Sequence, residues 1–334
     1  MYDDSGNSLA AKEAYLLLLL SDANLPTGSF VASSGLESYI KHGFFSDRSP
    51  ESPFASSSPT DPQPPRATVA TVNFLRDSLK TYSQSTLAFI RSVYEAMERD
   101  DALANVLAEI VQLDGLYETM TLNHVARRAS KAQGVALLSL YTKGFSRPSW
   151  LPDVLELPPP LPEDVKSSHR HQLPHSSKRN DDLVEELKAL IRRGDTPGHL
   201  PICWAVLSAS LGLSTERSQY LHIFLHARAL LSASVRLNTV GPYASQQLLL
   251  HVVKPLVDDT VKACKDIRLR FVARLDRNVI SGSNTVDKEL ADGKGADSWE
   301  LDEDADENGP ASTWPLGEIL AGRHDLQHSR IFNS

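Results

Sequence analysis

Residues 67–99 read ATVATVNFLRDSLKTYSQSTLAFIRSVYEAMER. Within them Val72, Leu75, Leu79, Tyr82, Phe89, Val93 and Met97 recur at steps of three, four and seven. A helix turns about 100° per residue, so these side chains share one stripe. An apolar stripe must be covered by another element, which makes this stretch a packed helix of a larger bundle.

The same period continues on both sides. Residues 101–114 carry Leu103, Val106, Leu107, Ile110 and Val111, and residues 118–141 carry Leu122, Val125, Ala129, Ala136, Leu137 and Leu140. Residues 220–237 repeat it with Ile223, Phe224, Ala227, Leu230 and Leu231. Residues 244–275 do so with Leu249, Val253, Leu256, Val257, Cys264, Ile267 and Phe271, and Pro255 is expected to kink or split that segment. Sustained period-two alternation is absent, and the short Val252–Val257 run contains that proline. The pattern predicts an all-α, multi-helix bundle of about eight to ten helices.

Three stretches break the pattern. Residues 46–66 hold six prolines among Ser and Asp, and residues 144–180 hold seven more. Both are expected to be disordered insertions, because such composition cannot bury enough surface to offset its ordering entropy. An acidic, Gly-containing stretch near 281–312 predicts a linker. The expected organisation is one helical domain over 9–277, then an acidic, partly disordered tail over 278–334.

The 334-residue chain carries 34 Lys plus Arg against 42 Asp plus Glu, a net charge of −8. That disfavours nucleic acid, which attracts a basic surface. Cys203 and Cys264 are too few for a disulfide framework and read as reduced thiols. The longest apolar runs fall short of the roughly 18 residues of a membrane span. The acidic start Met1–Asp4 predicts neither a secretory nor a mitochondrial leader, so the expected location is the cytoplasm.

Catalytic signatures are missing. No phosphate-binding Gly-x-x-x-x-Gly-Lys-Ser/Thr loop occurs, and Gly293-Lys294-Gly295 lacks its strand–helix setting. No Gly-x-Ser-x-Gly elbow occurs. Ser33 or Ser34 is expected to cap a helix, with Glu37 as the capping-box partner of Ser34. His222 and His226 are four apart, on one helical face, as two metal ligands would be. No third ligand is evident, so the expectation is two solvated or capping histidines on a polar face. His169, His171 and His175 lie in the second insertion. Arg127, Arg128 and Lys131 form a basic helix face suited to an acidic partner or to solvent.

Five ordered blocks then resemble the urease accessory protein UreF family. The first is LLLLLSDANLPTGSFVASSGLESYIKHG from Leu16 to Gly43. The second is ETMTLNHVARRASKAQG from Glu118 to Gly134, with its Arg-x-Ser-x-x-x-Gly pattern. The third is Gly198-His199-Leu200-Pro201 with the apolar run to Gly212. The fourth joins SASVRL from Ser232 to GPYASQ from Gly241, and the fifth is the closing HDLQHSRIFNS from His324. Where bacterial members commonly carry Phe-Ser-Tyr-Ser, this chain has Phe30-Val31-Ala32-Ser33. That departure and the insertions suggest a eukaryotic member.

The resemblance implies an all-helical, non-catalytic homodimer that bridges UreD (UreH in some species) and the GTPase UreG. The complex would deliver nickel to apo-urease. No cofactor would be tightly bound to this chain: nickel is handled through the complex and GTP sits on UreG. Pro26, Gly28 and Phe30 would fix the first turn, with Gly35 and Gly241 as further structural positions. Glu37, Arg236, Gln246, Arg330 and Phe332 would meet partners. Arg330 and Phe332 would do so on a tail that folds as it docks to UreD. The competing readings are a helical scaffold without a urease link and an enzyme with an unrecognised site.

Overall fold

The computed structural model describes residues 4–22, 25, 32–45, 65–146, 176–269 and 309–333. These are helical, with no strand among them. In order they form α1 (Asp4–Leu20), α2 (Leu36–Lys41), α3 (Arg66–Glu98), α4 (Leu103–Met120) and α5 (His124–Leu140). After a π-helical turn at Tyr141–Phe145 come α6 (Ser176–Arg193), α7 (Leu200–Leu211), α8 (Thr215–Arg236) and α9 (Pro242–Leu248). A second π turn, Leu249–Val253, leads into α10 (Lys254–Ala263). The carboxy-terminal segment holds α11 (Pro315–Gly322) and a 3₁₀ turn at Arg323–Leu326.

The long helix read first in the sequence is the hub. α3 packs against α4, α7, α8 and α10. Leu75, Leu79, Phe89 and Val93 of the stripe are buried, while Val72, Tyr82 and Met97 are partly so. Phe74, Leu87 and Ile90, off that stripe, are buried as well, because α3 is covered on more than one side. Its neighbour α7 is apolar all round, with Ile202, Cys203, Trp204, Ala205, Val206 and Leu207 buried. Such a helix has no polar face to offer water and belongs inside. Each buried aliphatic side chain here contributes about 1.5–3 kcal/mol of transfer free energy. Burial also pushes both cysteine thiols up, so each behaves as a small apolar side chain.

α5 and α7 approach through Gly134. A Cβ built there would collide with the Gly198 carbonyl oxygen and lie 3.0 Å from Cys203 Sγ. Only a residue without a side chain lets the two backbones pack so closely.

Several boundaries differ from expectation. The segment 118–141 is not one helix: α4 runs on to Met120, and Asn123 starts α5 by accepting at its side-chain oxygen from Val125 N and Ala126 N. Asparagine is a strong helix starter, and it overrides the continuing apolar period. The first insertion stops short of 66, since α3 starts at Arg66 behind Pro65. The second is narrower than 144–180, because Gly144 and Phe145 lie in a π turn and 176–180 in α6. Residues 46–64 and 147–175, with His169, His171 and His175, lie outside the described residues. Pro255 divides its segment as expected. The π turn precedes it and places it in the first turn of α10, where no amide hydrogen is needed.

Candidate functional site

The most elaborate polar cluster joins α4, α5 and the loop before α7. Asp114 on α4 is 1% exposed. Its carboxylate accepts from Thr196 Oγ1 at 2.6 Å, Gly198 N at 2.6 Å and His199 N at 2.9 Å. Gly198 has φ +78° and turns the chain sharply into α7. The fully buried His199 then pairs through Nε2 with Glu118 Oε2 at 2.5 Å. Its Nδ1 lies 3.0 Å from Ser130 Oγ, which in turn accepts from Leu200 N. Burial lowers the His199 imidazole below its usual range, against the pull of Glu118. Desolvation would raise Glu118, yet hydrogen bonds from Lys131 and His199 hold it below the usual carboxylate range. Glu118 also pairs with Arg127. Two members of the basic face are therefore satisfied within the chain.

The third, Arg128, holds the carboxy-terminal segment. Its guanidinium donates to both Asp325 oxygens, at 2.9 and 3.0 Å, and to the Asn333 carbonyl. Arg330 and His124 meet the same carboxylate. The Arg128 bonds, with His124 and Arg330 adding to them, hold the Asp325 carboxyl at about 2. Further along, Phe332 is 2% exposed, and its carbonyl accepts from the buried His324 at 3.1 Å. Glu37, 0% exposed, accepts from Ile331 N at 2.8 Å and Phe332 N at 3.1 Å, and pairs with Lys41 at 3.0 Å. Desolvation works against this carboxylate, but the Ile331 amide, Lys41 and the Phe332 amide together keep it below its ordinary value. The Arg236 guanidinium lies over the Phe332 ring, 4.6 Å from its centre. Trp314 closes the other end of the segment against Phe74, with ring centres 5.2 Å apart.

Four of the five residues expected to meet partners thus gather at this clasp: Glu37, Arg236, Arg330 and Phe332. The fifth, Gln246, is exposed on α9. Two expectations are corrected. Glu37 is not the capping-box partner of Ser34: Ser34 and Gly35 have φ +49° and +87°, and α2 starts without a side-chain cap. The carboxylate is drawn instead to the tail amides of Ile331 and Phe332. Nor does the tail await a partner to fold, since residues 309–333 already lie on the bundle, with Phe332 anchored by the chain's own groups. Arg330 remains exposed at its side chain. Gly35 earns its place through its positive φ and its approach to Ala321 Cβ, 3.3 Å from where a Cβ would stand. Gly241 has an ordinary φ of −71° and open space around it, so nothing there demands glycine. Pro26, Gly28 and Phe30 lie outside the described residues.

The histidine pair is placed differently from expectation. His222 is 4% exposed and His226 is half-buried, not solvated. Both rings lie nearly parallel to Tyr82, with centres 5.2 and 4.0 Å away. Their face of α8 turns toward α3, not outward. Burial, with His226 adding to it, pushes His222 down to about 3, and burial pushes His226 to about 4. His226 Nε2 is 3.0 Å from Ser78 Oγ, whereas His222 Nε2 has no hydrogen-bond partner among the described residues. Among the described residues no group of three or more His, Cys, Asp or Glu side chains is arranged to hold a metal ion. Among them also, no helix is long and apolar enough to cross a membrane.

Two predictions follow from the clasp. Glu37→Gln is expected to weaken tail docking by about 2 kcal/mol, since one carboxylate oxygen becomes an amide facing an N–H donor. Hydrogen exchange at the Ile331 and Phe332 amides should quicken about thirtyfold, with little change in global unfolding; unchanged exchange would show that Glu37 does not hold the tail. The second concerns pH. A carboxyl lowered in the folded state stabilises above its unfolded pKa of about 4 and loses that effect as pH falls through its folded value. For Asp325 the window runs from about 4 down to about 2. Tail protection is therefore expected to stay level from about pH 8 to about pH 5 and to fall only below that window's upper edge. A loss near neutrality would contradict this.

The framework is a helical bundle locked by its own carboxy-terminal segment, built from polar clusters that position chain elements. Residues 67–253 match the UreF family model. Urease accessory protein 6 of Cryptococcus neoformans var. grubii is 39% identical over 97% of this chain and 98% of its own length. A UreF-like urease accessory protein of Schizosaccharomyces pombe, described as uncharacterized, is 24% identical over 96% of the chain and 97% of its own. Urease accessory protein UreF of Arthrobacter sp. strain FB24 is 27% identical over 72% of the chain and 80% of its own. The chain belongs to the UreF family of urease accessory proteins.

Proposed function

We propose that the chain is a non-catalytic adaptor of urease maturation, acting as a homodimer in the cytoplasm. It bridges UreD and the GTPase UreG and supports nickel delivery to apo-urease, with GTP held by UreG. The observation that carries this reading is the match to urease accessory proteins along nearly the whole chain. The chemistry agrees with it. The buried Asp114 and His199 fix the loop before α7, and the buried Glu37 fixes the tail. The sequence also lacks a phosphate-binding loop.

Within this reading the clasp presents the tail to UreD, while Arg236 and the exposed Gln246 serve the UreG side. The decisive experiment is co-expression with the cognate UreD and UreG, followed by size-exclusion chromatography with light scattering, with and without GTP. The expected result is one complex containing two copies of this chain. A lone monomer under all conditions would overturn the reading. Truncation after Gln327 removes Arg330 and Phe332 but no residue of α1–α11. It is expected to abolish UreD capture while leaving helical circular dichroism intact. Undiminished capture would remove the tail from that interface.

A further inference from the structure

Where the carboxy-terminal segment crosses the end of α2, the surface holds an open depression of about 290 Å³. Lys41 and His42 line it from α2, and Arg323, Leu326, His328 and Ser329 line it from the segment. Arg323, His42 and His328 are exposed, so solvent reaches this face. Among the described residues no acid or carbonyl engages the Arg323 guanidinium or the His328 ring. The acids of the clasp are already paired, Glu37 with Lys41 and Asp325 with Arg128 and Arg330. Lys41 Nζ also donates to the Ser329 carbonyl and so joins the two sides of the depression. The Gln327 amide is sealed from solvent and takes no part. His42 decides the chemistry. Its Nδ1 lies 2.7 Å from the Ser38 carbonyl oxygen, which can only accept, so Nδ1 carries the hydrogen. The neutral ring then offers a lone pair at Nε2, its free nitrogen.

We propose that this depression is a binding site for hydrogen phosphate, held between the end of α2 and the carboxy-terminal segment. Phosphate oxygens accept from the Arg323 fork, a planar donor set matched to oxyanions, and from the His328 ring. The P–OH group donates to His42 Nε2. The site therefore calls for a tetrahedral anion that still carries a proton, which sulfate near neutral pH does not. Two imidazoles alone would suit a transition metal, but the Arg323 guanidinium on the same depression opposes a cation. Arg323 and His328 belong to the tail and His42 to the end of α2, so a bound anion ties one to the other. By linkage, occupancy slows opening of residues 309–333. This inference does not rest on the urease reading.

The test is titration of the full chain with sodium phosphate against sodium sulfate. Ionic strength is held constant, because added salt by itself screens exposed charges. Phosphate is expected to bind saturably with a Kd on the order of 1 mM, moving the imidazole resonances of His42 and His328. Sulfate should bind about tenfold more weakly, the loss of about one hydrogen bond. Arg323→Gln should weaken phosphate binding about tenfold. His42→Asn keeps a donor for the Ser38 carbonyl but removes Nε2, and should make phosphate and sulfate equal. Tail amides should exchange more slowly at phosphate saturation. Absence of saturable phosphate binding, equal binding of the two anions by the unsubstituted chain, or indifference to Arg323→Gln would overturn the proposal. So would zinc ions moving both imidazoles while phosphate moves neither, which would make the pair a metal site. Should a variant fail to fold, the comparison of phosphate with sulfate on the unsubstituted chain decides.

Discussion

Asp114→Ala is expected to destabilise the bundle by about 3–5 kcal/mol, the range for stripping the partner from a buried polar network. The side chain is 1% exposed and serves three donors. Two of these, Gly198 N and His199 N, are backbone groups that cannot turn elsewhere. The loop they belong to feeds α7, the most buried helix, so the loss spreads to the core. A fall of roughly 10 °C in the thermal midpoint corresponds to that figure for a domain of this size. Asp114→Asn should fall between, since one acceptor oxygen survives while the new NH₂ opposes a donor. A change under about 1 kcal/mol for the alanine variant would mean that water or loop movement satisfies the freed amides.

Gly134→Ala is expected to cost about 2–3 kcal/mol even though alanine favours a helix by about 1 kcal/mol. The added Cβ meets the Gly198 carbonyl, which is backbone and cannot swing aside as a side chain would. α7 must then retreat from α5, and the Asp114 cluster at the same loop loosens with it. Gly115→Ala is the control. It sits in α4 with nothing within 4 Å of a built Cβ, so helix propensity acts alone and stability should rise by about 0.5–1 kcal/mol. Opposite signs for two Gly→Ala changes in neighbouring helices separate packing from propensity. Equal signs would refute the close approach. Urea unfolding of the three chains reads both.

The periodicity of α3 was legible because apolar spacing is a local property of the sequence. The Arg-x-Ser-x-x-x-Gly block was legible as a pattern but not as a set of tasks. In the fold Arg128 grips the tail, Ser130 orients His199, and Gly134 admits α7. Asp114 passed unnoticed because a buried carboxylate and a surface one look alike in sequence, and its donors lie more than 80 residues away. Glu37 has the same difficulty at larger scale, with partners 294 and 295 residues on. A plausible local cap concealed the distant one. The histidine pair was read with the correct spacing and the wrong face. Leu221, Ile223, Leu225 and Ala227 flank the pair and are buried, so α8 has little polar face in that region to carry them. Asn123, by contrast, was a readable helix start that the apolar period masked.

The distance between Glu37 and its acceptor-seeking amides has a consequence for synthesis. A chain leaves the ribosome amino end first. The bundle helices emerge before Ile331 and Phe332 do, so α2 can meet α8, and Tyr39 can meet Phe74 of α3, while the Glu37 carboxylate is paired with Lys41 and still lacks the tail amides. Docking of Ile331 and Phe332 onto this buried acid is therefore a late step of assembly, taken after the helices that enclose Glu37 have been made.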